Sequence, residues 1–369
     1  YSTLNVYFNH PTDFMQVNSY VGQGSSLGES SGFADTMRAG VARRISGRPI
    51  CLTEYNHSHW NQYKHEGGLV FGAYAALQDF DGMIVHCSGV RTGAKKGNVL
   101  GPFNVAKSPV FRANEFLAYC LFMRADAMKS KHRVELFFPK NYVENNANMA
   151  QSVNGAQTRI ALLSGFSVKF EGARIPEKLA HTKIKNADMT MLPDGASLAS
   201  SAQNFASTGT SVGEKFDEEA FVLQMRENGI LDKNNRTSPA AGVYHSDTNQ
   251  ILLDTKKERI SVITPKTEAV AFKSGVENLD ALTEISSTTP CAVAACAMDG
   301  SRLSESKRIV FIYNTDNIND DINLDASRSL MRKKPSPNSK ILIKRGKMSA
   351  KLKVPADKKY KMYELKYSG

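Results

Sequence analysis

The sequence predicts an α/β segment followed by an all-β segment. Three observations predict it. Over the first 130 residues, short apolar strands alternate with helically spaced apolar residues. Near residue 133 that period changes. From Gly242 onward, short strand-like runs are separated by turn signals, the pattern of a β-sandwich. The expected organisation is α/β over 1–130, a β-rich linking region with an irregular insertion over 131–240, and a β-sandwich over 241–369.

The elements follow in order. Tyr1–Phe8 alternates like a strand and carries no initiator Met, basic leader or apolar leader core. The expectation is a chain cut from a precursor, or part of a longer one. Phe33, Met37, Val41 and Ile45 have helical spacing, and Ser46-Gly47 ends that helix. Pro49–Thr53 is a short apolar strand running into Glu54. Gly67–Gln78 is apolar and rich in small residues, which predicts a buried helix, and Gly82–His86 is another short strand. Val110–Met128 has apolar residues at 111, 116, 117, 121 and 122 and reads as a helix. Strands alternating with helices imply parallel pairing, yet these are too few to close an eight-stranded barrel.

Beyond residue 133, Arg133–Phe138, Thr158–Leu163 and Ser167–Phe170 read as strands. Residues 185–216 are rich in Ser, Ala, Gly and Asn and predict an irregular excursion, followed by a helix over Phe216–Asn228. Strands are then expected over 250–254, 259–264, 269–272, 291–298, 307–313, 339–344 and 349–354, with turns such as Asp247-Thr-Asn249 and Asp299-Gly300 between them.

With 369 residues, 41% hydrophobic and 22% charged, the chain can bury a sizeable core, and no apolar run is long enough to span a membrane. The net charge of +11 is concentrated near the C-terminus, from Arg332-Lys333-Lys334 to Lys358-Lys359. That balance reads either as a solvated basic surface or as attraction to acidic partners. Nucleic acid is not expected, because no known module and no interleaved stacking aromatics accompany the charge. An anionic polysaccharide is compatible with it. The five cysteines form neither a disulfide framework nor a zinc motif, and Cys291 and Cys296 are expected to pack rather than pair.

Chemistry concentrates in Arg48-Pro-Ile-Cys-Leu-Thr-Glu-Tyr-Asn-His57. A buried strand delivers Glu54 at its C-terminal end, beside Tyr55, Asn56 and His57. A carboxylate oriented there by hydrogen bonds suits nucleophilic attack on a sugar anomeric carbon. The bland alternative is a solvated turn residue. Two further strand ends present Tyr7, Asn9 and His10, and His86, so three histidines gather at successive ends. No His-Glu-x-x-His spacing supports a metal, and no cofactor is expected. Trp60, the one tryptophan, is either a sugar-stacking platform or a loop anchor.

These residues also carry a resemblance. Tyr7-Phe-Asn-His-Pro11, Arg43-Arg-Ile-Ser-Gly-Arg-Pro49, Thr53-Glu-Tyr-Asn-His57 and Ala73-Tyr-Ala-Ala-Leu-Gln-Asp-Phe-Asp-Gly82 resemble the last strands of clan A glycoside hydrolases, more narrowly large bacterial cellulase- or β-galactosidase-like proteins. The stretches 264–270 and 298–308 look like their accessory sandwich. The resemblance implies the C-terminal portion of a (β/α)8 TIM barrel, with Glu54 ending strand seven as nucleophile of a retaining mechanism on a β-linked oligo- or polysaccharide. Tyr7 or His10 would end strand six. Asp81-Gly82 would start strand eight, and His86 would face the sugar. Asn56, His57 and Trp60 would help bind substrate. Asp79 and Asp81 would fix a turn.

The clan's acid/base Glu follows an Asn at the end of strand four. Asn114-Glu115 matches it only in letters and falls in a helix. The acid/base and the first half of the barrel would therefore come from a preceding segment or another chain. Extracellular or periplasmic placement also follows from the resemblance. A non-catalytic carbohydrate-binding or surface structural protein is the alternative.

Overall fold

The structure is a computed structural model that describes residues 2–29, 34–87, 99–145, 155–173, 187–194, 196, 215–355, 357 and 359–365. Most of the irregular excursion expected over 185–216 lies outside the described residues.

The chain begins with a parallel sheet. Strand β1 (Ser2–Phe8) alternates strictly, so Leu4, Val6 and Phe8 are buried on one face while Thr3 and Asn5 stay exposed on the other. After α1 (Asp35–Val41), strand β2 (Ile50–His57) pairs in parallel with β1. Helix α2 (Gly67–Leu77) returns the chain to β3 (Gly82–Val85), which adds to the other side of β2. Every residue of α2 is buried, as its apolarity on all sides requires. Helix α3 (Pro109–Ala118) starts at Ser108, whose hydroxyl accepts from the Phe111 amide. It crosses α2 at Gly68 and Gly72. A Cβ there would come within 2.8 Å of the Asn114 backbone and 2.7 Å of the Ala118 Cα, so only glycine allows the approach.

The region after residue 130 differs from the expected β-rich link. Strand β4 (Arg133–Phe138) is followed by α4 (Lys140–Asn145), α5 (Gly155–Arg159), β5 (Gly165–Phe170) and β6 (Met189–Met191). These strands form a second parallel sheet in the order β5-β4-β6. Thr158–Leu163, expected as a strand, is the end of α5 and a 3-10 turn over Ile160–Leu162. A short apolar run that is buried all round has no period to separate helix from strand. The Arg44–Ser46 segment lies along β5: the Val168 amide donates to the Arg44 carbonyl, and the Ser46 amide to the Val168 carbonyl, each at 2.7 Å.

Helix α6 (Glu218–Glu227), capped by Asp217, leads into antiparallel β-structure. The strands are β7 (Val243–His245), β8 (Ile251–Asp254), β9 (Arg259–Ile263), β10 (Thr267–Phe272), β11 (Val276–Glu277), β12 (Leu282–Ser287), β13 (Cys291–Ala297), β14 (Ile309–Asn314), β15 (Asn317–Asn319), β16 (Asn323–Leu324), β17 (Met331–Lys333), β18 (Ile341–Ile343) and β19 (Met348–Leu352). Six of them form one sheet in the order β14-β13-β10-β9-β8-β7.

Its central strands β10 and β13 are buried at every residue because both faces are covered. On one face Val270, Phe272 and Val293 meet Leu282 and Ile285 of the small β11-β12-β19 sheet. On the other, Ala269, Ala271, Ala292 and Ala294 join the core of α2, their small side chains leaving room for the helix. That core runs without a break across residues 130 and 240, from Leu4 to Cys296. Cys291 and Cys296 face opposite sides of β13, which prevents a hairpin disulfide, and no two of the five cysteines are joined by one.

Candidate active site

The site stands where β1, β2 and β3 end. Strands β1 and β2 pair Leu4 with Leu52 but Asn5 with Glu54, so Thr53 is an inserted bulge residue. The bulge reverses the facing of everything after it. Ile50 and Leu52 point into the core before it, and Tyr55 and His57 do so after it. Glu54 is thereby aimed at the face of the sheet away from the helices. The Thr53 hydroxyl donates to the Asn5 side-chain carbonyl at 2.8 Å and fixes the bulge.

On that face the Tyr7 phenol donates to Glu54 Oε2. His86 Nδ1 lies 3.8 Å from the same oxygen. Among the described residues no group hydrogen-bonds Glu54 Oε1, and the side chain is 37% exposed. Burial and the adjoining carboxylate push the Tyr7 phenol pKa up, so it remains a donor throughout the neutral range. Around this pair stand three more rings. Tyr7 lies 4.7 Å from Phe103, 5.2 Å from His10 and 5.6 Å from His86, centroid to centroid. Phe103 also contacts His10 at 5.3 Å and His86 at 5.6 Å.

Phe103 was not among the residues the sequence singled out. It stands there because residues 103–105 pair with Cys87, just beyond β3: Cys87 donates to the Phe103 carbonyl at 2.9 Å and Val105 to the Cys87 carbonyl at 3.1 Å. The one local signal is the Gly101-Pro102 turn that presents it.

Of the predicted site residues, Tyr7, His10, Glu54 and His86 come together. Asn56 does not face a ligand. It is buried, donating to the His86 carbonyl at 2.6 Å and accepting from the His57 amide at 2.8 Å, so it positions the strand end that carries His86.

His57 and Trp60 are corrections. His57 follows the bulge on the inward parity and is fully buried against Phe8 and Phe71, at 5.1 and 5.7 Å. Burial, with His65 and Lys64 nearby, pushes its pKa down to about 3, so it is a neutral packed ring. Trp60 has no exposed surface. It fills a cluster with Met15, Val21 and Met331, and is the loop anchor rather than a stacking platform.

Other residues of the motif are structural. Asp81 accepts from the Ile50 amide at 2.8 Å and fixes the turn into β3. Asn114 donates to the Lys64 carbonyl at 2.7 Å. Glu115 accepts from the Tyr55 phenol at 3.2 Å on the helix side of the sheet, opposite Glu54, and burial pushes its pKa up to about 7.

The loops after the strands are held by buried charge. Lys64 pairs with Asp316, whose other oxygen lies 3.0 Å from Arg328. Glu66 accepts from both Ser25 and Ser26, which ties down the loop after β1. Among the described residues no three His, Cys, Asp or Glu side chains are grouped to hold a metal ion, and no helix is long and apolar enough to cross a membrane. Comparison with known proteins found no protein family, no curated protein and no solved structure that matches this chain.

Proposed function

We propose that β1, β2 and β3 are the sixth to eighth strands of a (β/α)8 glycoside hydrolase barrel, and that Glu54 is the nucleophile of a retaining hydrolysis of a β-linked oligo- or polysaccharide. The observation that carries this reading is the placement of Glu54. It ends the middle strand, a bulge turns it to the uncovered face, and one oxygen is held by Tyr7 while the other is left open. In barrels the chemistry gathers at the C-terminal ends of strands.

The state of the sheet supports the same reading. Parallel sheets are ordinarily covered on both faces. Here the helices cover one face, Thr3, Asn5 and Ile84 are exposed on the other, and among the described residues β1 and β3 each lack an outer partner. Strands from a preceding segment or a separate chain would close the barrel.

The chemistry follows from the two oxygens. Glu54 Oε1 attacks the anomeric carbon while the glycosidic oxygen leaves with a proton from a second carboxylic acid. Water then cleaves the glycosyl ester, with that second group as base. The acid must stand about 5 Å from Glu54. Glu115 lies behind the sheet, so the acid belongs to the strands that complete the barrel. Tyr7 keeps the attacking carboxylate oriented, and Phe103 and His10 offer ring faces to the sugar. A polymeric substrate would place the protein outside the cell or in a periplasm.

The test is Glu54→Gln in the protein with its barrel complete. Turnover should be abolished with sugar binding retained, and a 2-fluoro glycoside should label the Glu54 peptide of the native protein. Undiminished hydrolysis by the variant would remove Glu54 from the reaction.

A further inference from the structure

Residues 328–361 carry thirteen Lys and Arg against the single Asp357, and the rest of the chain is within one charge of neutral. The whole positive excess of the protein therefore belongs to one short segment. The fold places the start of that segment beside the loop that follows β1, next to the candidate site. Residues 329–331 lie along the loop after β1: Val21 donates to the Ser329 carbonyl at 2.8 Å, Asn18 to the Met331 carbonyl at 2.7 Å, and Met331 to the Ser19 carbonyl at 2.9 Å. Lys334 reaches Gln16 of the same loop. Strand β15, the partner of β18, is fastened to the loop after β3, where Asn319 accepts from the Leu100 amide at 2.9 Å.

Arg332, Lys333, Lys334, Lys340, Lys344 and Arg345 are all exposed, and among the described residues none forms an ion pair. The path from the site to this ridge is short. Tyr7 touches His10, His10 lies 5.0 Å from Phe14, and Gln16, two residues on, holds Lys334. Phe14 is 66% exposed beside His10, and Tyr20, 52% exposed, bridges to Leu330 at the start of the ridge.

We propose that the basic ridge is a subsite for an acidic polysaccharide, whose repeating carboxylate or sulfate groups lie along the six basic residues while its sugar rings run over Tyr20 and Phe14 towards Glu54. Exposed aromatic faces suit pyranose rings, and unpaired exposed cations suit a regular row of anions. Screening limits such attraction to about 8 Å at physiological ionic strength, so the charges must border the polymer's path, as these do. The inference rests on Glu54 as a glycosidase nucleophile and names the substrate class.

The test is affinity electrophoresis of the full chain carrying Glu54→Gln, which binds without turnover. Gels contain polygalacturonate, a sulfated galactan or a neutral glucan, and a mixed-sequence oligonucleotide is measured alongside. One or both acidic polymers should retard the protein, and the stronger names the anion. The neutral glucan should not, and about 0.5 M salt should abolish the effect. Reversing Arg332, Lys333 and Lys334 to Glu should weaken retention by at least about tenfold. Reversing the distant exposed Lys215, Lys233 and Arg236, the same change in net charge, should leave it intact.

Equal loss in both triple variants, equal retention by the neutral glucan, or tighter binding of the oligonucleotide would each overturn the proposal. Glu54-dependent cleavage of a neutral glycan without acidic retention sinks the ridge and spares the hydrolase reading. Ridge-dependent retention without any Glu54-dependent turnover of the complete protein does the reverse.

Discussion

Tyr7 and Glu54 sit on neighbouring parallel strands, and they meet because Thr53 is an extra residue in β2. Without the bulge, the alternation that buries Ile50 and Leu52 would carry Glu54 into the core. With it, the carboxylate reaches the side of the sheet where Tyr7 stands, and Tyr55 and His57 take the inward places. One inserted residue thus separates the half-exposed Glu54 carboxylate from the packing beneath it.

Replacing Tyr7 by Phe tests that relationship. The ring stays and the donor to Glu54 Oε2 goes. A hydrogen bond to a charged group contributes about 1.5–3 kcal/mol, so under the proposed hydrolase reading kcat/KM of the protein with its barrel complete should fall roughly 10- to 100-fold. Circular dichroism should be unchanged. Full activity in the Phe variant would mean that the phenol is not needed to orient Glu54.

Trp60→Ala should unfold rather than unbind. The side chain is enclosed by Met15, Val21 and Met331, and its removal leaves a cavity between the loop after β1 and β17. Losses of about 3–5 kcal/mol accompany such truncations. Denaturant unfolding measures this, and Trp60→Phe should recover a large part of it. A stable Ala variant with a specific defect in sugar binding would restore the platform.

Much of this was legible in the letters. Strands β8, β9, β13 and β14 were expected to within a residue or two, because turn residues bracket each run. The all-apolar stretch of α2 announced a helix enclosed on every side. The bulge had no such mark, since Thr53-Glu54 reads like any strand end, and His57 was therefore assigned to the wrong face. The core shared by α2 and the six-stranded sheet was also hidden: it depends on contacts between residues some two hundred positions apart, which no local period encodes. Phe103 was missed for the same reason.

The buried pair Lys64–Asp316 makes a third prediction. Burial alone would raise the Asp316 pKa, but Lys64 and Arg328 outweigh it and hold the carboxylate ionised. Asp316→Ala leaves the Lys64 ammonium buried without its partner, at a cost of about 3–5 kcal/mol. The double change Lys64→Met with Asp316→Leu should restore most of that, measured by chemical denaturation. An Asp316→Ala variant as stable as the parent would show that the pair is dispensable to the loops it joins.

The last prediction concerns acid. Burial pushes the His65 pKa down to about 4, against roughly 6.5 in an unfolded chain. Between these values the unfolded chain binds a proton that the folded protein refuses. The stability contributed by neutral His65 is thus complete above about 6.5 and is lost as pH falls towards 4, at up to about 1.4 kcal/mol per unit.

Glu66 and Glu115 act oppositely, since their pKa values are raised to about 7 and their contribution fades as pH rises through that value. The whole-protein profile mixes both signs, so the difference between His65→Asn and the parent is the readout. From pH 7.5 to pH 5 the variant should gain about 2 kcal/mol relative to the parent in denaturant unfolding, whatever constant cost the substitution carries. A difference that does not change with pH would mean that His65 titrates as an ordinary exposed histidine, and the packing of the loop after β2 would have to be redrawn.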